Sequence, residues 1–150
     1  MTPASRLPAL GVGDALSREA VLAWLREPDE RRLEGLWGAA DETRRRAVGE
    51  AVHLRGLVEV SNHCARGCTY CGIRAANRGV ERYRVPASVV VACAHAARRY
   101  GYGTIVLQSG EDYGLEADWV ADVVRRIKAE TGLAVTLSLG ERTNEELAAW

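Results

Sequence analysis

The sequence predicts an α/β fold of parallel βαβ units led by a short helical segment, and three observations predict it. From about residue 51 onward, short β-rich runs alternate with longer amphipathic stretches, the pattern of strand, crossover helix and parallel strand. The longer stretches carry apolar residues at helical spacing, so each has one face to bury. Punctuation stands where such units need it, with Pro86 at a helix entrance and Gly101, Gly103 and Gly132 at helix exits.

Residues 1–50 read as a helical appendage, and residues 51–150 as the α/β part. Ser17 can cap a helix running to about Arg26, with Val21, Leu22 and Leu25 on one face, until Pro28 stops it. A second helix, from Asp29 to about Val48, places Leu33, Leu36, Trp37 and Ala40 at helical spacing, and Arg44-Arg45-Arg46 reads as its solvated face. The first strand is Leu54 to Val60. A helix follows from Pro86 to about Tyr100, then a strand at Thr104 to Gln108. The next helix, Leu115 to Glu130, sets Trp119, Val120, Val123, Val124 and Ile127 on its apolar face. Leu133 to Leu139 is the third strand, and Asn144 starts another helix that has barely begun at Trp150. A closed barrel of eight such units takes about 250 residues, so the expectation is the N-terminal part of a longer enzyme.

Formal net charge is zero, and no block of like charge is long enough to suggest a nucleic-acid or membrane partner. No apolar run has the length of a signal peptide or a membrane span. Cytoplasm is the expected compartment.

Three of the four cysteines, Cys64, Cys68 and Cys71, follow the first strand with gaps of three and two residues. One short loop can wrap three thiolates at this spacing around an iron–sulfur cube. A four-iron cluster takes four thiolates, so a loop offering three leaves one iron open to a small molecule. A zinc site would need a fourth Cys or His within reach. His63 is adjacent, and Cys93 lies in an Ala- and Val-rich stretch where a cysteine reads as a small buried hydrophobe. A non-catalytic metal-binding module is the reading that those two residues keep open. A disulfide framework fits poorly with a composition typical of a cytosolic enzyme.

Active sites of α/β barrels form at the C-terminal ends of the strands. The cysteine loop, Ser109-Gly110-Glu111-Asp112 and Gly140-Glu141 each follow a predicted strand. Side chains alternate along a strand, so Thr136 and Ser138 share one face of the third, and Arg55, Leu57, Glu59 and Ser61 one face of the first. Parallel strands are usually apolar on both faces. Two hydroxyls therefore point to a lumen holding a polar ligand or to backbone partners for Thr and Ser, and Glu59 is a candidate lumen carboxylate.

The cysteine spacing, with Tyr70 directly before the last cysteine, resembles the radical S-adenosylmethionine (SAM) enzymes. Ser109-Gly110-Glu111 resembles their Gly-Gly-Glu loop, with Ser109 in place of the first glycine. The segments Val58 to Cys64, Cys71 to Arg74, Arg82-Tyr83-Arg84, Thr104 to Asp112 and Ala134 to Glu141 are similar to the HydE-type maturases of [FeFe]-hydrogenase, which group with biotin synthase and methylornithine synthase. The resemblance implies a (β/α)8 barrel with a [4Fe-4S] cluster on Cys64, Cys68 and Cys71, its open iron chelated by SAM. It implies Tyr70 near the adenine, Ser109, Gly110 and Glu111 holding the methionyl end, and Thr136 and Ser138 facing the substrate cavity. The implied chemistry is reductive cleavage of SAM to methionine and a 5′-deoxyadenosyl radical. The implied substrate is an organometallic iron precursor, with an electron donor and other hydrogenase maturases as partners. A carbon-skeleton mutase or a sulfur-inserting synthase of the same group is the alternative.

Overall fold

Three strands, β1 (Arg55–Ser61), β2 (Thr104–Ser109) and β3 (Ala134–Ser138), pair side by side in chain order and all run parallel. Among the described residues there are five helices: α1 (Arg18–Leu25), α2 (Glu30–Val48), α3 (Ala87–Arg99), α4 (Ala117–Thr131) and α5 (Asn144–Ala149). This is a computed structural model that describes residues 16–150. The reading of residues 1–15 as part of the helical appendage lies outside the described residues.

The chain divides between Val52 and His53 into two compact units. In the first, Ser17 Oγ caps α1 by accepting from the Ala20 N–H, and Asp29 caps α2 by accepting from the Arg31 N–H. Trp24 is buried, whereas α2 has no buried residue. Its expected apolar stripe is only partly used: Leu33 and Leu36 are half-buried, and Trp37 and Ala40 are exposed. Arg44, Arg45 and Arg46 pair with Asp41 and Glu42 one turn away, a solvated ion-pair face.

In the second unit α3 and α4 cover one face of the sheet. Strands supply Val60, Ile105 and Leu107 to the core, and the helices supply Val90, Ala94, Val120, Val123 and Ile127, among others. Val58, Val135 and Leu137 pack against the same core from the same sheet face. The period of two in a strand then puts Arg55, Leu57, Glu59, Gln108, Thr136 and Ser138 on the other face, where Leu57 is 57% exposed. The register aligns Glu59 with Gln108 and Gln108 with Ser138, so a polar row crosses that face.

The β1–β2 register slips between Glu59 and Ser61, a bulge at the C-terminal end of β1. Strict alternation placed Ser61 with Glu59, but the slip makes Val60 and Ser61 buried in succession. Ser61 thereby leaves the open face and turns its hydroxyl to the loop after β2.

Candidate iron–sulfur loop and its supports

Beyond the bulge the chain leaves β1, runs through all three clustered cysteines, and returns. Its return is fixed by an antiparallel bridge between Ser61 and Arg84 and by the Val85 N–H donating to the Val60 carbonyl at 2.8 Å. Buried Asn62 ties both ends together. Its amide nitrogen donates to the Glu81 carbonyl at 2.7 Å, and its amide oxygen accepts from the Tyr83 N–H at 2.8 Å. Residues 62–83 thus form a closed loop, with Cys64 and Cys71 half-buried and Cys68 exposed.

The loop after β2 presses directly on this cysteine loop. A Cβ on Gly110 would overlap the His63 carbonyl and come 2.7 Å from Cys64 Cβ. Only glycine fits that approach, so the close neighbour of Gly110 in this chain is the cysteine loop itself. The Ala65 N–H donates to the Glu111 carbonyl at 2.9 Å, and the N–H groups of Arg66 and Glu111 both donate to Cys64 Sγ at 3.4 Å. Donors aimed at a cluster sulfur are among the levers that set its potential. The Ser109 hydroxyl donates to the Gly110 carbonyl.

Glu111 joins three loops. Its carboxylate accepts from Arg66 Nε of the cysteine loop at 3.3 Å and from the Glu141 N–H of the loop after β3 at 2.9 Å. Arg66 also reaches Glu141 Oε2. The Glu111 hydrogen bond, followed by the Glu141 charge, pushes the Arg66 pKa up. Gly140 makes room for this latch: its φ is +82°, and a Cβ there would stand 2.8 Å from Glu111 Oε1. Sequence reading set Glu111 aside for the methionyl amine. In the structure its carboxylate already has two donors, although an oxygen has more than one lone pair to offer.

Asp112, 3% exposed, forms a second junction. Arg84 grips it with two bonds, Nε to Oδ2 at 2.8 Å and Nη2 to Oδ1 at 2.7 Å. The Ser61 hydroxyl donates to Oδ2 at 2.6 Å, and the Gly114 N–H to Oδ1 at 2.9 Å. The Arg84 hydrogen bonds hold the Asp112 carboxyl well below the usual carboxylate range, with Ser61 and Gly114 adding to the shift and burial opposing it. Arg142, after β3, donates to the Asp112 carbonyl at 2.7 Å. Sequence reading missed Ser61, Arg84, Asp112 and Arg142 as supports. The one local signal was Arg82-Tyr83-Arg84, a pair of arginines just before Val85 rejoins β1.

The remaining expected residues lie nearby or apart as follows. Tyr70 is 91% exposed on the cysteine loop. Thr136 and Ser138 are exposed on the sheet face turned from the helices, as is Glu59, whose Oε2 accepts from the Tyr83 hydroxyl at 3.5 Å. Cys93 sits half-buried on α3 and His63 half-buried at the loop entrance. All four cysteines are free thiols.

Cys64, Cys68 and Cys71 stand as free thiols on one closed loop, and two backbone N–H groups donate to Cys64 Sγ. Thiols on a short loop with N–H donors to sulfur are the donor chemistry that an iron–sulfur cluster takes.

No family model matches the chain. It is 43% identical over 134 residues to the [FeFe] hydrogenase maturase subunit HydE of Thermotoga maritima, covering 89% of this chain and 38% of that protein. It is 33% identical over 144 residues to a biotin synthase of Geotalea daltonii, covering 91% of this chain and 43% of that one. Its fold is similar to the crystal structure of methylornithine synthase (PylB), with a TM-score of 0.81 at 25% identity, over 91% of this chain and 41% of that one. The chain spans about two fifths of the length of the relatives it matches. Among the described residues no helix is long and apolar enough to cross a membrane.

Proposed function

We propose that the chain, similar as it is to HydE, biotin synthase and methylornithine synthase, carries the cluster-binding part of a radical SAM enzyme acting in [FeFe]-hydrogenase maturation. The observation that carries the reading is the closed loop bearing Cys64, Cys68 and Cys71, pinned backbone to backbone against Gly110 and Glu111 at the strand ends.

Cys64, Cys68 and Cys71 would hold three irons of a [4Fe-4S] cluster, leaving the fourth for the amino and carboxylate groups of SAM. When bound, cluster and SAM together supply a one-electron cleavage of the sulfonium carbon–sulfur bond, giving methionine and a 5′-deoxyadenosyl radical. The chain's own residues supply position. Gly110 lets the loop after β2 lie against the cysteine loop, and Glu111, Arg66 and Glu141 lock both to the loop after β3. Backbone carbonyls of Ser109 and Gly110 and the Glu111 carboxylate would accept from the methionyl amine, and Tyr70 would cover the adenine. Glu59, Gln108, Thr136 and Ser138 would line the polar side of the cavity for an organometallic iron precursor, with an electron donor and the other maturases as partners.

The hydrogenase role draws on the 43% identity to HydE, against 33% to biotin synthase. Expressed in a host lacking its own HydE, the full-length gene should restore active [FeFe]-hydrogenase, and its Cys68→Ala variant should not. Formation of methylornithine from lysine without hydrogenase rescue would replace the maturase reading with the mutase.

A further inference from the structure

Arg82 makes an unusual set of bonds for a cation. All four hydrogens of its two terminal nitrogens go to backbone carbonyls: Nη1 donates to Asn62 at 2.5 Å and Ile73 at 2.7 Å, and Nη2 to Arg74 at 2.9 Å and Asn77 at 3.2 Å. Those carbonyls flank the cysteine run on both sides, Asn62 two residues before Cys64 and Ile73 two residues after Cys71. Carbonyl oxygens repel one another, so their convergence needs a cation with a planar fork at the centre. Two neighbouring arginines are neutralised, Arg66 by Glu111 and Glu141 and Arg84 by Asp112, whereas Arg74 gives one bond to the Cys71 carbonyl and Arg78 is exposed. Arg82 has no carboxylate partner among the described residues.

We infer that Arg82 is the positioning residue of the cysteine loop, holding both of its flanks in cluster-binding shape and leaving an unneutralised positive charge beside the cluster. The inference rests on the cluster reading above. A cluster gains one negative charge when it takes up one electron, so a fixed cation nearby favours the reduced form; local charge and hydrogen bonding are known levers on cluster potential. Carbonyl dipoles spread the Arg82 charge but do not cancel it, as a carboxylate would.

The test compares the full chain with its Arg82→Gln, Arg82→Lys and Arg78→Gln variants; Arg78 is an exposed arginine of the same loop. In metal-free protein, amide hydrogen exchange over residues 62–77 should speed up about tenfold or more in Arg82→Gln and remain unchanged in Arg78→Gln. After anaerobic reconstitution, Arg82→Gln should retain less iron, and the cluster that remains should be harder to reduce. In a dithionite titration followed by electron paramagnetic resonance, the expected loss is on the order of tenfold in favour of the oxidised form, about 59 mV for a one-electron couple. Arg82→Lys keeps the charge and should recover most of that shift. Wild-type exchange in metal-free Arg82→Gln overturns the positioning role, and a wild-type midpoint in Arg82→Gln overturns the charge role. If the wild-type chain itself takes up no iron, the cluster reading fails, and hydrogen exchange alone still decides whether Arg82 holds the loop.

Discussion

Asp112 is the side chain whose loss should cost the fold most at the strand ends. It is buried and receives four hydrogen bonds, two from Arg84 and one each from Ser61 and Gly114. Its pKa is depressed in the folded chain, chiefly by Arg84, against about 3.9 for a free aspartate. A depressed folded-state pKa contributes stability that is fully present above the unfolded value and is lost as pH falls through the folded one. The contribution should therefore stand intact at neutral pH and erode below about pH 4. Asp112→Asn should lower stability by about 3 kcal/mol at pH 7 and by clearly less at pH 3, as read by denaturant melts at both. An equal loss at the two pH values would show that the charge plays no part. Little of this junction was legible in the sequence. Ser61 and Asp112 stand 51 positions apart, and pairing at that range has no local pattern. The three thiols were legible because their chemistry depends on short spacing within one loop.

At the level of elements, local rules carried most of the fold. Ser17 and Thr143 cap helices, Gly132 closes α4, and the apolar periods of α3 and α4 mark the faces buried against the sheet. Two departures have physical causes. The bulge after Glu59 breaks the two-residue alternation, and a bulge leaves no periodic trace in seven residues of strand. Among the described residues the eight-residue α1 faces only Leu33 and Leu36 of the nineteen-residue α2, so helical spacing at Trp37 and Ala40 did not translate into burial. The division of the sheet into a packed and an open face makes a direct comparison possible. Leu107, 1% exposed among helix side chains, should lose about 3 kcal/mol on replacement by Ala. Leu57, on the open face, should lose less than about 1 kcal/mol by the same change in urea unfolding. Similar losses would contradict the assignment of faces.

Over the whole molecule, one geometric rule gathers the chemistry. Parallel strands send all their following loops to one end, so the cysteine loop, the loop bearing Gly110 to Asp112 and the loop bearing Gly140 and Glu141 meet there and are bolted together through Glu111 and Asp112. Sequence reading located these three loops by their position after strands; the bolts became visible only once the loops were assembled. In the proposed function this assembly holds a four-iron cluster open to SAM. Its most direct test is anaerobic reconstitution of the full chain with iron and sulfide, followed by metal analysis and electron paramagnetic resonance of the reduced protein with and without SAM. The expected result is about four irons and four sulfides per chain, a signal altered by SAM, loss of the cluster in Cys64→Ala, Cys68→Ala and Cys71→Ala, and its retention in Cys93→Ala. Tightly bound zinc with no iron chromophore, or, in the full-length protein, a reconstituted cluster whose spectrum is identical with and without SAM, would contradict it.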